Sequence, residues 1–150
     1  MDINSVTDAA DTIKKLQMEY EVPLYNIIVD EDGVGGGVKD ILNCKGFLNN
    51  GRPLKKENYT NLKTQCYYKL ASLINDNKVC LFTKNSEIKQ TIIAELEQVR
   101  RYNVDKDTKL AIVPKEKVKD VLGRSPDYAD AIMMRMYYEI DNNFGRYYVQ

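Results

Sequence analysis

The sequence predicts an α/β fold, and three observations predict it. A short β-branched run leads into acids and glycines and then into a helical segment. Apolar residues recur at three- and four-residue spacing in several later stretches, and the short strand-like runs stand between those stretches. The chain has 150 residues, 43% of them hydrophobic, enough for one ordinary core, so a single domain over residues 1–150 is expected.

The elements follow in order. Val6, Ala10, Ile13, Leu16 and Tyr20 form one helical stripe, with Ser5 and Asp8 spaced as a capping pair, and this helix stops near Pro23. Tyr25-Asn26-Ile27-Ile28-Val29-Asp30 reads as a strand buried on both faces, with Asp30 at its carboxyl end. Gly33, Gly35, Gly36 and Gly37 then turn the chain before Val38, Ile41 and Leu42 begin a short helix. Residues 49–58 mix turn formers with charge and read as an exposed, mobile loop.

Leu62, Cys66, Leu70, Leu73 and Ile74 mark a second long helix. Ile88, Ile92, Leu96 and Val99 mark a third, with Ser86 as its expected cap. Val79-Cys80-Leu81-Phe82 and Leu110-Ala111-Ile112-Val113 are strand-like and are expected to pair as a hairpin-like arm. Ser125-Pro126-Asp127 is a helix start: serine caps, proline suits the first helical position, and aspartate complements the positive helix end. Ala129, Ile132, Met133, Met136 and Ile140 then face the core, and the tail from Asp141 to Gln150 is expected to be docked or frayed.

Lys plus Arg and Asp plus Glu both total 22, so no bulk field draws the chain to DNA and any such contact needs a local patch. Histidine is absent, which leaves carboxylates as the main candidates for catalysis and favours hard, oxygen-preferring ions. Cys44, Cys66 and Cys80 lack the close pairs of a zinc or redox motif and are expected to be reduced thiols. No run approaches the roughly 20 apolar residues that span a bilayer, so no membrane partner is expected.

Asp30 stands where open α/β sheets place their ligands, and it is equally good turn chemistry in Asp-Glu-Asp-Gly. The spacing leaves open which of Asp30, Glu31 and Asp32 points inward. Asp127 and Asp130, three apart on a helix, rise from one face and can share a divalent ion. Asp127 also serves simply as a helix-start residue, whereas Asp130 enters an apolar segment where an unpaired carboxylate is costly. The glycines let a backbone approach phosphate, or only make a tight turn, and no Gly-Lys-Ser or Gly-Lys-Thr follows them. Basic residues gather at Lys55 and Lys56, at Arg100 and Arg101, and at Lys115, Lys117 and Lys119, with Tyr59, Tyr67, Tyr68 and Tyr102 near in sequence. Such clusters grip DNA or are solvated faces. Gly35, Gly36, Lys63 and Lys115 are the residues expected to touch DNA.

Taken together, Ile-Ile-Val-Asp-Glu-Asp-Gly-Val-Gly-Gly-Gly-Val at 27–38, Asn-Tyr-Thr-Asn-Leu-Lys-Thr-Gln-Cys-Tyr-Tyr at 58–68 and Ser-Pro-Asp-Tyr-Ala-Asp-Ala at 125–131 resemble phage terminase large subunits in their carboxy-terminal nuclease domain. The resemblance implies an RNase H-like, RuvC-type mixed sheet flanked by helices, and a metal-dependent endonuclease that cuts concatemeric viral DNA during packaging. It implies Asp30, Asp127 and Asp130 as catalytic and metal ligands for two Mg²⁺ or Mn²⁺ ions. It further implies double-stranded DNA, other terminase subunits and portal protein as partners, and the host-cell cytoplasm, for a phage or prophage product. The family's first catalytic aspartate precedes the opening helix, where Asp2, Asp8 and Asp11 do not match it, and the family's ATPase motor has no counterpart here. The expectation is therefore an N-terminally truncated domain that cuts weakly or not at all alone. A non-catalytic packaging or DNA-binding module is the rival, and a small regulatory or nucleotide-binding α/β protein is a third reading.

Overall fold

The computed structural model describes residues 5–32, 35–102 and 108–141. Asp2, Gly33 and residues 142–150, on which expectations from the sequence fall, lie outside them. The chain divides into two compact units, residues 1–51 and residues 52–150.

The first unit opens with α1 (Val6–Glu19), whose Ser5 hydroxyl accepts the Asp8 N–H at 3.1 Å, as its sequence anticipates. Only the amino-terminal half of the expected stripe is covered. Ala10 is fully buried, whereas Leu16 and Tyr20 are exposed. The expected strand over 25–30 is shorter than its apolar run, because Leu24–Asn26 closes as a 3-10 turn and leaves β1 at Ile28–Asp30. All three strand residues are partly buried rather than enclosed on both faces. β1 pairs in parallel with β2 (Lys45–Phe47), Asp30 opposite Phe47, and α2 (Gly35–Leu42) makes the connection.

β2 escaped the sequence reading because Lys-Gly-Phe is too short to show a period, yet Phe47 is fully buried. Ala10, Val38 and Leu42 form the hydrophobic centre, with Val6, Ile13, Val29 and Cys44 packed against it. Gly37 permits the close approach of α2 to α1, since a Cβ there would meet Val6 Cγ1 at 2.9 Å.

The second unit is built on α3 (Leu62–Asn75) packed against α6 (Asp127–Ile140), with α4 (Ser86–Glu97) also against α6. Leu70, Cys66, Met133 and Ala129 are buried here, and burial pushes the Cys66 thiol up to about 12. β3 (Arg101–Tyr102) pairs antiparallel with β4 (Ala111–Ile112), and α5 (Lys115–Leu122) follows, ending on Gly123 in the left-handed region.

Three local expectations are corrected. The partner of the 110–113 segment is β3, not Val79-Cys80-Leu81-Phe82, which lies in irregular backbone with Phe82 97% exposed. α4 is capped by Asn85, whose side-chain oxygen accepts the Glu87 and Ile88 N–H groups, so Ser86 is already helical. α6 has Pro126 in the cap position with no side-chain cap from Ser125. The loop after Gly51 is also fastened. The amide of Gln65, 2% exposed, accepts the Leu54 N–H at 2.7 Å and donates to the Leu54 carbonyl at 3.1 Å and to Glu57 at 3.1 Å.

Truncating a side chain at the α3–α6 seam leaves a void that packed helices fill poorly. Met133→Ala is expected to destabilise the protein by about 2–5 kcal/mol in urea unfolding. A change below about 0.5 kcal/mol would show that Met133 is not part of a packed core.

Candidate functional site

In the first unit, where the chain leaves β1, Asp30 and Asp32 meet at the Asn49 amide while Glu31 turns to Lys39. Asp30 Oδ1 accepts the Asp32 N–H at 3.0 Å and the Asn49 amide at 3.0 Å, and the same amide donates to Asp32 Oδ2 at 2.8 Å. Two carboxylates thus share one neutral donor. Glu31 pairs instead with Lys39 at 2.6 Å, a hydrogen bond that holds the lysine ammonium above its usual range. Gly46 leaves the room for that pair, because a Cβ there would collide with Glu31.

Gly35 begins α2 hard against the carbonyl of Asp30, where any Cβ would clash, and a Cβ at Gly36 would lie 3.3 Å from the Glu31 carbonyl oxygen. The tight turn is therefore a sufficient reason for Gly35.

In the second unit the carboxylate of Asp130 collects partners from two other helices. Lys63 of α3 reaches Oδ1 at 2.7 Å, Lys115 of α5 reaches Oδ2 at 3.2 Å, and the Tyr67 hydroxyl donates to Oδ1 at 2.6 Å. Burial opposes the charge on Asp130, but Lys63, Tyr67 and Lys115 together outweigh it and hold the carboxyl below the usual range. Burial first, then the Asp130 carboxylate, drives the Tyr67 phenol far upward. Lys63 is thus an ion-pair partner 15% exposed, not a solvated charge. Asp127, on the first turn of α6, is exposed and has no hydrogen-bond or ion-pair partner among the described residues.

Glu95 is the residue that sequence reasoning missed. It is fully buried on α4, accepts the Ala129 N–H at 2.8 Å and pairs with Arg124. A carboxylate from another helix therefore supplies the cap that Ser125 does not, and it fixes the amino-terminal turn that carries Asp127 and Asp130. The signal was present in the sequence: three residues after Ile92, Glu95 occupies a position of the apolar stripe.

Of the basic clusters, Lys55 and Lys56 are exposed with φ near 56°, and Lys117 stands over the Tyr102 ring at 4.8 Å. Arg100 and Arg101 are exposed and make no ion pair among the described residues. Within each unit, no group of three or more described Cys, Asp or Glu side chains stands together as a metal cage. No helix among the described residues is long and apolar enough to cross a membrane.

With a parallel βαβ unit ending in Asp30 and a helical unit carrying Asp130, the chain has a mixed α/β fold of the RNase H-like class. The particular likeness is to a phage terminase. The chain is similar to the nuclease domain of the large terminase subunit gp2 of the bacterial virus Sf6, with TM-score 0.67 and 25% identity over 91% of this chain and 73% of that one. A mutant of that domain with manganese matches with TM-score 0.67 and 24% identity, covering 91% of this chain and 74% of that one. A mutant with calcium matches with TM-score 0.67 and 24% identity, covering 91% and 73%. No family model and no curated protein matches the chain.

The sign of the Asp130 shift fixes a pH dependence. Its folded pKa is lowered, so its stabilisation is complete above the ordinary value near 3.8 and is lost as pH falls through the lower folded value. Asp130→Asn is expected to cost about 1–3 kcal/mol at pH 7. The gap from the parent should close in acid denaturation series carried below pH 3.8. A gap that is constant across that range would show that charge pairing at Asp130 contributes nothing.

Proposed function

We propose that this chain is a metal-dependent DNA endonuclease module of a viral DNA-packaging terminase large subunit. The similarity to the Sf6 terminase nuclease domain over 91% of the chain carries the reading. Asp30, Asp127 and Asp130 are its catalytic acids and its ligands for Mg²⁺ or Mn²⁺, with double-stranded DNA as substrate. The chain would work in the cytoplasm of the host cell beside other terminase subunits and the portal protein.

The donor chemistry fits hard cations. Asp30 and Asp32, which share the Asn49 amide, offer oxygens only and would hold a hard cation. Asp127 offers a free carboxylate, whereas at Asp130 a cation has to compete with Lys63 and Lys115. Bound there, a pair of such ions would activate water and stabilise the leaving oxygen of a phosphodiester. Lys63, Tyr67 and Lys115 keep Asp130 ionised, and Glu95 holds the turn from which it rises. Once released from Asp130, Lys63 and Lys115 are cations suited to backbone phosphate, and Gly35 and Gly36 are small enough for a strand to pass closely.

One observation favours the rival, a non-catalytic DNA-binding module: the charge of Asp130 is already matched by two lysines. Plasmid nicking in millimolar Mn²⁺ separates the two. Nicking, even if slow, is expected in Mn²⁺ or Mg²⁺ and not in Zn²⁺, and to fall below detection in Asp30→Ala and in Asp130→Ala. Nicking that survives both substitutions, or its absence together with no manganese binding in calorimetry, would refute the nuclease reading.

A further inference from the structure

We propose that the groove between α3 and the β3–β4 arm is a nucleotide pocket, taking a base against Tyr68 and its phosphate on Arg100 and Arg101. The groove belongs wholly to the second unit. Its cavity is about 480 Å³, within the range of sites that enclose one small ligand. Ala71 and Ile112 line it with apolar surface beside Tyr67 and Tyr68, and the arginines stand on its wall.

The charges are arranged for an anion. Arg100 Nε donates to the Glu97 carbonyl at 3.1 Å and Arg101 Nε to the Tyr68 hydroxyl at 3.2 Å. The terminal nitrogens of both guanidiniums have no partner among the described residues, and these are the forks that clasp phosphate. The acid nearest them in the lining, Asp76, is matched by Lys78 at 3.2 Å. Tyr68 is steadied by Tyr59, ring centroids 5.3 Å apart, so a base would stack on a wall that is already ordered.

Tyr67 borders this groove but is only 5% exposed, and its hydroxyl donates to Asp130. The inference rests on the nuclease reading only in naming a DNA strand as the source of the nucleotide; a free nucleotide offers the same chemistry.

The test is fluorescence anisotropy in EDTA with a labelled oligothymidylate of about ten nucleotides, competed with thymidine monophosphate. The variants are Ala71→Phe, which fills the groove without changing charge, and Arg100→Ala with Arg101→Ala. Each is expected to weaken binding roughly tenfold or more, the order set by one stacked base and its phosphate, with melting temperature unchanged. Competition by the monophosphate supports the pocket for either source. Its binding without that of the oligomer keeps the nucleotide and removes the strand. Oligomer binding by Ala71→Phe equal to that of the parent, with no competition by the monophosphate, would overturn the proposal. Because no metal is present, that failure leaves the nicking result standing, and failed nicking leaves the pocket standing.

Discussion

The carboxylate of Asp130 ties three helices of the second unit to one another, and the order of that unit depends on it. α6 presents the acid, α3 brings Lys63 and Tyr67 to one oxygen, and α5 brings Lys115 to the other. Burying a carboxylate costs several kcal/mol, which two ammonium groups and a phenol offset only in a fixed geometry. The constraint therefore selects one arrangement of three helices. Glu95 adds a second, since a fully buried carboxylate at the Ala129 N–H fixes where α6 begins.

The first unit solves a different problem. Asp30 and Asp32 repel each other on one side of a strand end, and the neutral amide of Asn49 keeps them together without cancelling their charge. Glu31 is drawn off to Lys39. Such a pair retains attraction for a cation, whereas Asp130 has given most of its own to lysines. The two units thus offer acids in opposite electrostatic states, one underneutralised and one balanced.

How far the sequence foretold this depends on the range of each interaction. Helices α1, α3 and α6 were legible because their stripes are long, and Asp30 was legible because a polar residue closed an apolar run. β2 and β3 were hidden because two or three residues show no period, whereas β4 was legible within Leu110–Val113 and only its partner was misread. The exposed Phe82 segment was misread because an apolar composition signals a strand only where a partner exists. Asp130 was singled out by the cost of leaving it unpaired, yet its partners Lys63, Tyr67 and Lys115 come from remote turns that no local spacing reveals. Glu95 obeyed the same argument as Asp130 and was passed over because its helix looked ordinary.

The central claim is that the acids of both units bind divalent cations. Paramagnetic line broadening in amide spectra, titrated with Mn²⁺, tests it most directly. The account predicts selective loss of signals at residues 30–32 and around 127–131, reversed by Mg²⁺ and abolished locally by Asp30→Ala and Asp130→Ala respectively. Broadening spread over exposed acids such as Glu19 and Glu97, with both clusters untouched, would contradict it.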